Sequence, residues 1–350
     1  MRKAIALILA ALLCVGLLAG CGGKSGGGDA VPSGEAKVYK VGIVNYVDDA
    51  SLNQIVNNLE AQLDKSGKEL GVVFDYAPYY DNAQADSAVL NQIGADLVAD
   101  KVDVIVAVAT PTALTMMSAT EDTDIPIVFA AVSDPVGSGV VADMQKPGGK
   151  VTGTSDGLDA RALINLMLAA DPGLKKVGLL YDTAQDASTS AIASAKEILG
   201  SMGIEVVEKT GSTTDDVLLA AQALVAEDVG AVFTPTDNTI MAAEQAISGV
   251  FADAGIPHYA GADSFALWGG FVGYGVDYAV LGTATADIVV DILVNGKDPA
   301  SYPVKTFENG IVSVNTETCK AIGFDLETIK KAFSEIAVEF RELTTQAEFD

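Results

Sequence analysis

The chain has 350 residues and a formal charge of −26, with 47 acidic side chains against 21 basic ones. That balance excludes nucleic-acid binding, which needs a basic footprint, and argues against a polybasic membrane patch. One histidine and three cysteines supply no Cys/His set for a zinc site, and a cage built of carboxylates alone is unlike zinc, so neither a metal nor any other cofactor is expected.

Residues 1–20 read as a secretion signal. Arg2 and Lys3 precede the apolar run "AIALILAALLCVGLLAG", which ends in small residues. The end, "LAGC", looks like a bacterial lipobox, in which Cys21 is acylated and becomes the first residue of the mature protein. Residues 21–37 are a Gly/Ser-rich tether, a flexible coil that would hold a domain off a membrane. The expected location is extracytoplasmic, on the outer face of the cell membrane. Cys14 would leave with the signal and Cys21 would carry lipid, so Cys319 would have no intrachain partner. Roughly 310 residues follow the tether, enough for two domains of ordinary size.

From residue 38 strands and helices alternate. "KVYKVGIVNYV" is a strand, and "SLNQIVNNLEAQLDKSG" places Leu52, Ile55, Val56, Leu59 and Leu63 on one helical face. "VVFDYAPYY" reads as a strand and "ADSAVLNQIGADLVADK" as a helix. "VDVIVAVAT" is continuously apolar, the mark of a parallel strand covered on both faces. "PTALTMMSAT" is a helix with proline near its start, and "IPIVFAAV" is a strand. After "GKVTGTSDG" the order repeats through "KKVGLLYD", "STSAIASAKEILGSMG", "IEVVEKTGS", "DDVLLAAQALVAE", "VGAVFTP", "TIMAAEQAISGVFADAG" and "IPHYAGAD". The two series match in pairs, such as "VDVIVAVATPTALTMM" with "VGAVFTPTDNTIMAAE". The fold class is therefore α/β, with two similar doubly wound parallel-sheet lobes joined by a hinge. Lobe 1 takes residues 38–153 and about 278–300, and lobe 2 takes residues 154–277 and about 301–325. Residues 326–350 are expected to form a helical tail. Hinge crossings are expected near Thr152–Asp156, near Tyr274–Asp277 and after Pro303.

In open α/β sheets ligands bind beyond the carboxyl ends of the strands. Lobe 1 places Asn45, Tyr46, Thr110, Thr112, Ser133 and Asp134 there. Lobe 2 places Tyr181, Asp182, Thr236, Asp237, Asn238, Asp263 and Ser264 there, and the linker adds Thr154, Ser155 and Asp156. Each has a plain structural alternative. Thr110, Thr112 and Asp237 could be helix caps, and Asp134 before Pro135 could be a turn residue. None of these clusters carries Lys or Arg, which a phosphate ligand would usually require. No phosphate-binding glycine loop or nucleophile elbow is present, and the single His258 lies inside a strand pattern, where it reads as structural. Catalysis is disfavoured, although an Asp237–Asp263 pair leaves acid–base work open. Aspartates for an ammonium, helix N-termini and threonines for a carboxylate, and Tyr46, Phe129, Tyr181 and Trp268 for a ring suit a small zwitterion, an aromatic amino acid among them.

The segments "VDVIVAVATPTA", "IPIVFAAVSDPVGSGVV", "VTGTSD", "KKVGLLYD", "PTDNTI" and "GVDYAVLG" resemble, in this order, the ABC transporter substrate-binding proteins of the tryptophan/tyrosine-binding type. The resemblance covers roughly residues 38–305 and implies the type I periplasmic-binding fold, a monomeric receptor and partnership with a membrane permease and its ATPase. It implies ligand-site positions at Thr110, Thr112, Asp134, Asp237, Asn238, Asp263 and Ser264. Many members carry Gln and a His-containing stretch where this chain has Asn45 and "VDDASL". Two variants of the expectation stay open: a sensory receptor serving a signalling protein, and the same transport role with a nucleoside or vitamin-like ligand.

Overall fold

A computed structural model describes residues 36–349. The signal segment, Cys21 and nearly all of the tether lie outside the described residues.

The first sheet is built from β1 (Val38–Asn45), β2 (Val73–Asp75), β3 (Tyr80–Asn82), β4 (Val104–Val108), β5 (Ile127–Ala130), β6 (Val151–Ser155) and β12 (Lys305–Thr306). Its order is β12-β6-β5-β4-β1-β2, all parallel, with β3 pairing to the far end of β1. The second sheet has the order β14-β13-β11-β10-β9-β7-β8. It uses β7 (Lys176–Tyr181), β8 (Glu205–Thr210), β9 (Ala231–Thr234), β10 (His258–Ala260), β11 (Val272–Gly275), β13 (Ile311–Asn315) and β14 (Glu339–Leu343). Only the β11–β13 pair is antiparallel. The path β2-β1-β4-β5-β6 corresponds strand for strand to β8-β7-β9-β10-β11, which is the duplication visible in the sequence. All five residues of β4 are buried, as the unbroken apolar run requires of a strand with helices on both faces.

The helices are α1 (Ala50–Leu70), α2 (Ser87–Asp100), α3 (Thr110–Ala119), α4 (Ala160–Ala170), α5 (Asp186–Ser201) and α6 (Thr214–Ala226), then α7 (Asn238–Asp253), α8 (Asp263–Leu267), α9 (Tyr278–Leu293), α10 (Thr316–Ala321) and α11 (Leu326–Phe333). The chain passes between the sheets three times, after Ser155, after Gly275 and after Thr306. The last crossing falls later than the lobe division expected from sequence, because β12 pairs with β6 and keeps residues 305–306 in the first sheet.

Two readings are corrected. The "VVFDYAPYY" strand is split by a single helical turn, Ala77–Tyr79, where Pro78 interrupts the ladder. The helical tail stops at Phe333: residues 339–343 form β14, which runs parallel to β13 at the sheet edge. Burial along "EFREL" does not alternate, with Phe340, Arg341 and Leu343 intermediate, and pairing with β13 makes the segment a strand.

Helix α9, which follows the second crossing, returns to pack against α1 in the first lobe. The two backbones meet at Gly282, where a Cβ would lie 2.3 Å from the Ile55 carbonyl oxygen. No side-chain rotation relieves a clash with backbone. Gly282→Ala is expected to lower stability by about 1–3 kcal/mol, read as a drop in thermal midpoint.

Candidate functional site

The carboxyl ends of β1, β4, β5 and β9 and the helix starts that follow them line a narrow cavity between the lobes. Asp49, Ser51, Thr110 and Ser133 line it from the first lobe. Thr236, Asp237, Asn238 and Ser264 line it from the second, and Asp156 and Tyr278 line it from the crossings. Leu52, Met241 and Phe265 form its apolar wall.

Local sequence sets each position. Asp49 caps α1, its Oδ1 accepting the Leu52 N–H at 2.8 Å. Asp237 caps α7, accepting the Thr239 and Ile240 N–H groups on Oδ1, while its Oδ2 accepts the Asp182 N–H at 2.8 Å and the Ser188 hydroxyl at 2.6 Å. Asp156 accepts the Ser133 hydroxyl at 2.9 Å on Oδ1 and the Tyr278 hydroxyl at 3.3 Å on Oδ2. The start of α3 is different. Its cap, Ala109, offers no side-chain acceptor and sits at φ 76, and Ala131 at the end of β5 sits at φ 53. Non-glycine residues in this region are strained, and such strain gathers where backbone must face a ligand. Behind the wall, buried His258 holds Thr234 Oγ1 through Nε2 at 2.8 Å and Glu244 through Nδ1 at 3.2 Å, and its ring meets Phe265 edge-on. The structural reading of His258 agrees with this.

The lobes touch directly. The Ser51 hydroxyl donates to Asp263 Oδ1 at 2.7 Å and accepts the Ser264 N–H at 3.2 Å. Ser133 Oγ lies 3.2 Å from Thr236 Oγ1. The Tyr46 hydroxyl sits beside Gln185, Asp182 and Asp237 of the second lobe. Asp263 is also approached by the Arg341 guanidinium at 3.7 Å, while Arg341 bonds Asp277 at 2.9 Å. The segment after β14 folds back along the same side: the Trp268 indole N–H donates to the Ala347 carbonyl at 3.0 Å, and Asn53 on α1 donates to Glu348 at 3.2 Å.

Of the residues expected from sequence, Thr110, Ser133, Asp156, Thr236, Asp237, Asn238 and Ser264 line the cavity. The others do not. Asn45 bonds Asn53, and Thr112 is buried one step further into α3. Asp134 closes a turn by accepting the Gly137 N–H. Thr154 bonds Thr285 of α9 at 2.8 Å, and Ser155 accepts the Gly157 N–H. Tyr181 points to Glu208 on the neighbouring strand β8. Asp263 acts in the lobe–lobe contact. The aromatic wall is also reassigned: Phe129 is core, Trp268 serves the C-terminal segment, and Phe265 and Tyr278 face the cavity instead. Asp49, Ser51, Met241 and Tyr278 were missed. The available signal for Asp49 was its place, an aspartate opening the helix after β1 just as Asp237 opens the helix after β9.

A family model described as ABC transporter substrate binding protein matches residues 40–335. The chain is an ABC transporter substrate-binding protein. Members of this family are non-catalytic extracytoplasmic receptors that work with a permease and an ATPase, and the two-lobed architecture is the type I periplasmic-binding fold. A tyrosine-binding protein of Clostridioides difficile is 32% identical over 328 residues, covering 92% of each chain. A Streptococcus pneumoniae ABC domain in complex with L-Trp has a TM-score of 0.79 at 28% identity, covering 87% of this chain and all of its own. A ligand-free, open substrate-binding protein with adhesive properties from Clostridium difficile has a TM-score of 0.65 at 29% identity, covering 88% and 100%. The direct hydrogen bonds between the lobes hold them in contact, a closed arrangement.

Closure buries acids. Burial pushes the carboxyls of Asp49, Asp237 and Asp263 up to about 6, against an ordinary value of 3.8, despite hydrogen bonds that oppose the shift. Raised folded-state values mean that the folded form binds protons more tightly than the unfolded chain. Their stabilisation is full below the ordinary value and is lost as pH rises through about 6. The ligand-free thermal midpoint should therefore be higher near pH 5 than near pH 7.5. Asp49→Asn should flatten that slope, which separates the buried acid from relief of surface repulsion. Ser51→Ala strands Asp263 Oδ1 and frees the Ser264 N–H, so small-angle scattering should report a larger radius of gyration for the ligand-free variant.

Proposed function

We propose that the interlobe cavity captures a small zwitterionic solute, an aromatic amino acid, and that the closed receptor delivers it to the permease. The observation that carries this reading is a set of buried polar atoms facing the cavity with no hydrogen-bond partner among the described residues: Thr110 Oγ1, Asp49 Oδ2 and Ser264 Oγ. Buried polar groups are ordinarily satisfied, and each unmet one costs about 1–3 kcal/mol. A ligand with donors and acceptors at one end would meet them.

The ligand carboxylate belongs at the start of α3. The first N–H groups of a helix have no intrahelical partner, the cap side chain here is a methyl group, and the helix dipole favours an anion. The ring belongs against Phe265, Met241 and Leu52, with Tyr278 at the crossing. The tyrosine-binding relative and the L-Trp complex support an aromatic side chain. Delivery by a receptor tethered through lipidated Cys21 fits the sequence signal, and lobe opening about the three crossings would release the solute.

A thermal-shift screen against amino acids, nucleosides, vitamins and sugars tests the assignment. A ligand at 100 times its dissociation constant adds about 2.7 kcal/mol of apparent stability. Tyrosine, tryptophan or phenylalanine should raise the melting temperature. A shift with nucleosides or vitamins alone would overturn the amino-acid assignment while leaving the receptor role.

A further inference from the structure

We infer that Asp49 is the residue that reads the positive charge of the solute, through its Oδ2, and so sets the preference for a primary amine over an uncharged analogue. This rests on the amino-acid reading above and names the side chain that enforces it.

Three carboxylates line the cavity, and they differ in what is left over. Asp237 has both oxygens doubly engaged, by Thr239 and Ile240 on one side and by Asp182 and Ser188 on the other. All of those donors belong to its own lobe, so its geometry is complete without a ligand. Asp156 has Ser133 on one oxygen and Tyr278 on the other. Asp49 spends Oδ1 on capping α1, while Oδ2 is buried and has no partner among the described residues. The residue is 4% exposed, so bulk solvent scarcely reaches it. Capping α1 explains one oxygen of Asp49 and leaves the other without a task.

The surroundings suit an ammonium. Arg341 reaches Asp263 and Asp277 and is not among the groups around Asp49, so no protein cation neutralises this carboxylate. The Ser264 hydroxyl lies close enough to act as a donor that lowers the Asp49 carboxyl against burial, and its oxygen lone pairs stay free to accept on the same side. An ammonium has three donors, and a carboxylate oxygen with an adjacent hydroxyl accepts two of them. A buried carboxylate with no cation is unfavourable, and a bound ammonium removes that penalty. The amine end therefore sits between α1 and α8, with a lobe on either side, so the same charge that is recognised also draws the lobes together. Burial, with the Asp263 carboxylate nearby, pushes the Asp49 carboxyl up to about 6, an environment that a counter-charge would relieve.

The test is calorimetric titration with a matched pair, L-tyrosine and 3-(4-hydroxyphenyl)propionate, which differ by the amino group. The native protein should prefer the amino acid. In Asp49→Asn the affinity for the amino acid should fall by about 30-fold or more, because a buried charge pair has been broken. The propionate should change by less than about threefold, so that the discrimination collapses. Asparagine caps a helix as well as aspartate does, so folding should survive, and a retained ligand-free melting transition checks this. A second measurement needs no variant: at pH near 6, titration in two buffers of different ionisation enthalpy should show proton release with L-tyrosine and none with the propionate.

If the amino acid binds but Asp49→Asn discriminates as well as the native protein, or if no proton is released, Asp49 is not the charge reader and the amino-acid reading stands. If the native protein binds neither member of the pair, nor their tryptophan and phenylalanine counterparts, the amino-acid reading itself fails.

Discussion

Carboxylates buried between the lobes are the constraint around which this molecule is arranged. Asp49, Asp156, Asp237 and Asp263 are nearly inaccessible, and Arg341 approaches only Asp263 among them. Acids can be placed there because the fold brings hydrogen-bond donors to the same region. Parallel strands end in helix starts, and helix starts carry N–H groups with no intrahelical partner. Asp49 and Asp237 satisfy two such starts, and Asp277 does the same for α9 at the second crossing. A sheet architecture that gathers helix N-termini thereby makes an acidic cleft tolerable without basic residues, and an acidic cleft without basic residues favours a solute that brings its own cation.

Much of the architecture was legible in the sequence because it rests on local periodicity. The unbroken apolar run of β4 and the amphipathic face of α1 lie where the pattern placed them, and the repeated strand order reflects similarity between the two halves. The tail was misread because one amphipathic helix ran without a strong breaker into "EFREL". What decides its strand state is pairing with β13, a partner that local sequence does not reveal. The cavity was legible only at the level of strand ends. Thr110, Asp237, Asn238 and Ser264 could be found by position, but Thr154 and Tyr181 point to neighbours within their own lobe, and the period of a strand does not say which face a ligand will meet. Phe265 and Tyr278 enter through α8 and α9, elements whose approach depends on how the lobes close.

Closure itself is built from small polar groups. Ser51, Asp263 and the Ser264 amide form one bridge, and Ser133 with Thr236 forms another. Apolar contact accompanies them, since Leu52 of the first lobe and Met241 and Phe265 of the second belong to one continuous buried cluster. The C-terminal segment adds a further tie, running from β14 past Trp268 to Asn53 on α1. It lies beyond the residues matched by the family model.

Ser51 and Ser264 belong both to the cavity lining and to the bridge that holds the lobes together. Selectivity and resting posture are therefore written in overlapping atoms. A substitution that reshapes the cavity at these positions also shifts how often the empty receptor is closed, and apparent affinity scales with the fraction in the competent state. Evolution toward a new solute would thus move two quantities at once. Replacing the apolar wall at Met241 or Leu52, which takes no part in the bridge, offers a route that changes preference while leaving the posture in place.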